Sequence, residues 1–279
     1  MSFAFLKITA VAACLLVAAT AAGANAARQG VLRVCADPDG LPYSRHDESG
    51  FENRIARLVA DDLHLQLQFV WQPLQRGFAR KTLTANLCDA LFGVPARYEP
   101  VLTTQPYYRS RYVFVYRLAD RYDDLRSFDD PRLSQLAIGV PVIGDDLVAS
   151  PPGYALAARG MTDNVVGYPV LGATSAAERA IADLAARRID LAILWGPQAA
   201  YFARRASVPI GWSPAPALRD GIGTSLDYAI AVAVRKNDEA LATSIGGALV
   251  RQRAAIDAIL EQYDVPRTDR SEGEQQVPR

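Results

Sequence analysis

Five short apolar runs, separated by amphipathic stretches, govern what this chain can fold into. They are Val31–Ala36, Leu67–Trp71, Ala90–Val94, Leu136–Val140 and Ile189–Leu194. Runs that are nearly continuous in apolar residues, rather than alternating, belong to strands buried on both faces, and such strands form mostly parallel sheets covered by helices. The segments between them supply those helices. Phe51, Ile55, Leu58, Val59 and Leu63 fall on one face at a helical period, and Phe78 to Asn86 forms the next. Ser175 and Glu178 have capping-box spacing ahead of the Ala180, Ile181 and Leu184 face. Asn237 is placed to cap a long final helix carrying Leu241, Ile245, Leu249, Ile256 and Leu260. The fold class is therefore α/β.

Tyr112 to Tyr116 and Tyr228 to Val234 read as a pair of strands crossing between two lobes. If the chain leaves the first lobe on one and returns on the other, residues 27–116 and 226–267 form lobe 1, with both termini, and 117–225 form lobe 2. Residues 268–279 are polar, without periodicity, and read as a disordered tail. At the other end, Lys7, an apolar stretch to Ala22 and Ala24-Asn25-Ala26 have the form of a secretory signal peptide, residues 1–26. The stretch falls short of the ~20 apolar residues that span a bilayer, and Cys14 lies inside it rather than at its end. Cleavage there removes one of 30 basic residues and none of 30 acidic ones, so the charge offers nucleic acid no attraction. Export places the protein in the periplasm and leaves two cysteines, Cys35 and Cys88. An oxidising compartment favours a bond between them. Their places, near the end of one strand and just before another, argue against it if the strands pair in parallel.

Catalytic and metal signatures are sparse. His46 and His64 have no partner at ligand spacing, and neither a nucleophile elbow nor a phosphate loop occurs. Gly221-Ile222-Gly223-Thr224 reads as a turn or hinge. The chain therefore reads as a binding protein, not an enzyme, with no cofactor. Open α/β sheets bind ligands at the carboxyl ends of their strands, which selects the loops Asp37 to Tyr43, Gly93 to Arg97, Gly144 to Asp146 and Trp195 to Pro197. The cleft candidates are Asp37, Leu41, Pro42 and Tyr43 from the first loop, with Phe51, Glu52 and Arg76. Gly93, Val94, Pro95, Arg97 and Tyr107 follow, then Gly144, Asp145, Trp195, Gly196 and Pro197. Glu52 also fits an ordinary helix-start residue that favours the dipole, and Trp195 fits plain core. Asp145 and Asp146 would repel an anionic ligand. Asp37, Asp39, Asp145 and Asp146 together suit a hard cation, but each also suits a turn or a cap.

Several motifs resemble one family: RVCADPDGLPYS (Arg33 to Ser44), GFENRI (Gly50 to Ile55), RGFARKTL (Arg76 to Leu83), CDALFGVPA (Cys88 to Ala96) and LTTQPYYRSRYVFVY (Leu102 to Tyr116). IDLAILWGPQAAYFA (Ile189 to Ala203), DYAIAVAVRKND (Asp227 to Asp238) and ILEQYDVP (Ile259 to Pro266) extend the match over nearly the whole mature chain. The family is the XoxJ/MxaJ group of solute-binding-like proteins associated with quinoprotein dehydrogenases. The resemblance implies a two-lobed type 2 periplasmic binding fold, each lobe a mostly parallel sheet flanked by helices. It also implies an accessory role toward a PQQ-dependent methanol or alcohol dehydrogenase, with its cytochrome c nearby. More broadly the segment order resembles amino-acid receptors, but where those carry a Thr-x-x-Arg stretch to clamp the ligand carboxylate, this chain reads Gly93-Val94-Pro95-Ala96-Arg97-Tyr98. Arg97 is the candidate substitute, without the threonine or the spacing. Two functions stay open: a partner-binding accessory, and a transport receptor for a small uncharged or weakly polar solute.

Overall fold

The computed structural model describes residues 30–143, 150–172, 174–218 and 225–268. The first half runs β1 (Val31–Ala36), β2 (Asp39–Gly40), β3 (Ser44–Arg45), α1 (Phe51–Asp62), β4 (Gln66–Trp71), α2 (Phe78–Lys81), β5 (Ala90–Pro95), β6 (Leu102–Thr103) and β7 (Tyr108–Arg117). The second half runs β8 (Ile138–Val142), α3 (Pro151–Ala157), β9 (Val165–Pro169), α4 (Ala176–Ala185), β10 (Leu191–Trp195), α5 (Gly196–Ala203), β11 (Ile210–Pro214), β12 (Asp227–Val234), α6 (Glu239–Arg251) and α7 (Arg253–Gln262).

The main strands lie in the order β4-β1-β5-β12-β7-β10-β8-β9. At either end the pairing is parallel, β1 with β4 and β5, and β8 with β9 and β10. In the middle β7 is antiparallel to β12 through Tyr108 to Arg111, and to β10 from Tyr112 onward. It thus passes from one sheet half to the other, and β12 links it back to β5. The result is the α/β two-lobed architecture with two crossing strands.

Each half has its own core. Phe51, Ile55 and Val59 of α1 meet Val232, Ile245, Ile256 and Leu260 over one sheet half. In the other, Phe114, Ile138, Val140 and Ile193 pack with Leu133 and Leu156 on one face. Ile181, Leu184 and Leu194 pack on the opposite face. Burying each such side chain contributes roughly 1.5–3 kcal/mol, which is why the apolar stripes are cut where the helices end. β8 and β10 are buried on nearly every residue, as continuous apolar runs require. β4 is not. It is an edge strand, alternates exposed and half-buried residues over Gln66 to Phe69, and stacks Phe69 on Trp71 and Trp71 on His46.

Several local expectations are corrected by packing. The helix expected over 78–86 stops at Lys81, because the chain then turns so that Leu83 and Cys88 cover the sheet. Ser175 precedes α4 but makes no capping bond, and its hydroxyl instead faces the Gln198 amide at 3.4 Å. Asp238 rather than Asn237 precedes the last helical segment. That segment is two helices, broken at Gln252, whose amide donates to Asp62. The break keeps both Leu249 and Leu260 on the same core.

Cys35 and Cys88 are bonded, with Cα atoms 5.5 Å apart. The opposing expectation assumed that Cys88 obeys the β1–β5 register. That ladder starts at Ala90 opposite Val34, and Cys88 lies ahead of it, on the segment folded over the sheet with Leu83. Residues 1–29, 144–149, 219–224 and 269–279 lie outside the described residues, and with them the signal peptide, Gly144, Asp145, Asp146, the 221–224 glycine stretch and nearly all of the tail. Among the described residues no helix is long and apolar enough to cross a membrane.

Candidate ligand-binding cleft

The loop from Asp37 to Ser44 is locked onto the start of α1. The Phe51 and Glu52 amides donate to the Pro42 and Tyr43 carbonyls at 2.9 Å each, and the Asn53 carboxamide oxygen accepts from the Arg45 and Gly50 amides. A Cβ on Gly50 would sit 2.1 Å from the Tyr43 oxygen, so only glycine permits this close approach. Asp37 adds a second tie, with Oδ1 accepting from the Asp39 amide and Oδ2 from the Leu74 amide. The Leu41–Pro42 peptide is cis.

This fixed loop, the end of β5 and the start of α5 line an open cleft of about 1000 Å³ at the carboxyl ends of β1, β5 and β10. One wall is aliphatic, from Leu41, Leu91, Val94 and Ile230. Another is aromatic, from Tyr43, Phe69, Phe92, Tyr108, Tyr112, Trp195 and Tyr228. Tyr112 meets Trp195 edge-on at 5.4 Å, and Trp195 meets Tyr228 at 5.9 Å. Thr174, Ser175 and Gln198 add polar lining from the start of α4 and from α5. The charged lining residues among those described are Asp37, Asp39 and Glu52, and no arginine or lysine is included.

Glu52 is the unusual group. It is 9% exposed and occupies the second position of α1. The Tyr107 hydroxyl accepts from the Gly93 amide at 3.2 Å and donates to Glu52 Oε1 at 3.3 Å. Gly93 has φ +76, and a Cβ there would lie 2.4 Å from Glu52 Oε1. Burial pushes the Glu52 carboxyl up to about 8, against the smaller opposite effect of the Tyr107 bond. At neutral pH the acid is mostly protonated. Burial beside this group also raises the Tyr43, Tyr107 and Tyr108 hydroxyls, which stay neutral.

The structure brings together Asp37, Leu41, Tyr43, Glu52, Gly93, Val94, Pro95 and Trp195 on the cavity wall. Phe51 and Tyr107 stand behind it as buried supports, and Pro42, Gly196 and Pro197 are buried in the elements that carry the lining. Arg76 and Arg97 are exposed and outside the lining, so among the described residues no guanidinium lines the cavity as a carboxylate clamp would. Sequence reasoning passed over Phe69, Tyr228, Thr174 and Gln198, and left open which of the Tyr107, Tyr108, Tyr112 and Tyr116 cluster line the cleft. Alternation along β7 and β12 marks which tyrosines share a face, but not which face meets the cavity. No group of three or more His, Cys, Asp or Glu suited to a metal occurs among the described residues.

Two sheet halves joined by crossing strands around an apolar cavity at their carboxyl ends define the class: a bacterial solute-binding protein. The family model for bacterial extracellular solute-binding proteins, family 3, matches residues 32–265, and the chain belongs to that family, within its MoxJ/XoxJ/MxaJ branch. Protein MoxJ of Methylorubrum extorquens is 33% identical over 265 residues, 89% of this chain and 86% of the relative. The crystal structure of the periplasmic binding protein XoxJ from Methylobacterium extorquens AM1 is 34% identical with a TM-score of 0.71, covering 86% of this chain and 100% of that one. MxaJ from Methlophaga aminisulfidivorans MPT is 28% identical with a TM-score of 0.72, covering 85% and 100%.

Proposed function

We propose that this protein is a periplasmic accessory that binds a PQQ-dependent methanol or alcohol dehydrogenase and assists its maturation or activation, without catalysing a reaction itself. The carrying observation is the cavity lining, which is largely aromatic and aliphatic and has no basic side chain among the described residues. An amino-acid receptor needs a cation to hold the ligand carboxylate, and a buried carboxylate without one is strongly disfavoured. Similarity to MoxJ, XoxJ and MxaJ supports the link to methanol oxidation. The same reading makes residues 1–26 the cleaved leader, divides the mature chain at about residues 117 and 225, and adds the dehydrogenase's cytochrome c as a third member.

The test is capture from periplasmic extract with the mature protein as bait, followed by dye-linked alcohol dehydrogenase assay. Recovery of a quinoprotein dehydrogenase whose activity rises with added bait is the expected result. An intact, folded bait that recovers none would favour the second reading, a solute receptor for a transporter. The large, concave cavity is the observation that supports that reading.

A further inference from the structure

Glu52 presents a carboxyl group that the fold shields but does not fully use. It is nine-tenths buried, and its one hydrogen-bond partner among the described residues, Tyr107, takes Oε1, so Oε2 on the cavity wall has none. Tyr43, Tyr108, Tyr112, Trp195 and Tyr228 share that wall. Aromatic faces attract organic cations within ~6 Å through the ring quadrupole, most strongly when water is excluded. A buried carboxylate completes such a site by supplying the counter-charge.

We infer that the cleft binds an organic ammonium cation that bears no carboxylate, with its charged head beside Glu52 Oε2 and its apolar body against the Tyr112, Trp195 and Tyr228 rings. The remaining charges agree. Asp37 and Asp39 stand on the same lining and add negative potential, which draws cations and repels anions. Arg45, 3.8 Å from Asp39, and Arg205 line the adjoining pocket and lie outside that lining. A hard metal ion wants several oxygen ligands, and one free carboxylate oxygen among rings does not provide them. The ligand class therefore differs from the uncharged solute expected from sequence. It is also independent of whether a dehydrogenase docks, since the site lies within the isolated chain.

Binding a cation ionises Glu52, so the site has a proton signature. Below pH 8 the carboxyl must release a proton, and the surrounding Tyr43, Tyr107, Tyr108 and Tyr112 hydroxyls remain neutral throughout. Affinity is expected to rise more than tenfold from pH 6 to pH 8 and then level off, with proton release on binding at pH 7.

The experiment is calorimetric titration of the mature protein with choline and with benzyltrimethylammonium. It is repeated with 3,3-dimethylbutan-1-ol, the uncharged isostere of choline, and in buffers of different ionisation enthalpy. At least one ammonium probe should bind ten times or more tightly than its uncharged counterpart, and Glu52→Gln should remove both that preference and the proton release. Equal binding of the isostere, an unchanged pH profile in Glu52→Gln, or no binding of either ammonium to folded protein would overturn the inference. Should Glu52→Gln fail to fold, Glu52→Asp, which draws the carboxylate back by one methylene, is expected to weaken the cation about threefold or more while sparing the isostere, and an equal loss for both would count as refutation.

Discussion

Replacing Glu52 by Gln should make the protein more stable at alkaline pH, an unusual outcome for removing a buried hydrogen-bonded acid. The carboxyl has an ordinary value of 4.5 in the unfolded chain and about 8 in the folded one. Its folded value is raised, so its contribution is fully present below about pH 4.5 and is lost as pH climbs to 8. Through that window the unfolded chain is ionised while the folded one holds its proton, and the loss approaches about 1.4 kcal/mol per pH unit. Between pH 5.5 and 8.5 this amounts to about 3 kcal/mol. Glutamine keeps the size of the neutral acid and an oxygen for the Tyr107 hydroxyl, but does not titrate. Urea denaturation of both proteins across that range should give stability differences that diverge by about 3 kcal/mol in favour of the variant. All other titrating groups cancel in that difference. Parallel curves would mean that Glu52 is ionised in the native protein and that burial does not dominate its environment.

Gly93→Ala is expected to cost about 2 kcal/mol or more, because φ +76 disfavours a side chain and the new Cβ would meet Glu52 Oε1 at 2.4 Å. Chemical denaturation checks it, and a loss below about 0.5 kcal/mol would show that α1 and β5 separate easily. The paired change Cys35→Ser with Cys88→Ser opens a cross-link between residues 53 apart in sequence. Loop-closure entropy alone predicts a loss of about 4 kcal/mol under oxidising conditions, which the same denaturation series, with and without reductant, would measure.

Much of the fold was legible before any coordinates. β1, β5, β8 and β10 follow apolar runs, and α1 and α4 follow stripes at a helical period, because a buried strand or a half-buried helix leaves its period in the sequence. The loop after β1 and Trp195 were legible as cleft elements because ligands gather at strand carboxyl ends. Tyr228 was not selected for the cleft and Tyr112 was left open within its tyrosine cluster, since a tyrosine on a crossing strand is equally suited to core and wall. β4 read as buried on both faces, because sequence does not say that a strand lies at a sheet edge.

The sequence by itself determined the class of fold, the order of its elements, the family, and the absence of a Thr-x-x-Arg clamp, since all of these are properties of residue type and spacing along one chain. Only the tertiary structure decided the Cys35–Cys88 bond and the character of Glu52. Both depend on distance between segments remote in sequence. The turn after α2 carries Cys88 over the sheet to Cys35. Gly93 and Tyr107, arriving from β5 and the approach to β7, pack against a helix-start glutamate and strip it of most of its solvent. A carboxyl titrates according to the solvent it has lost, and that loss is set by what packs against it in three dimensions.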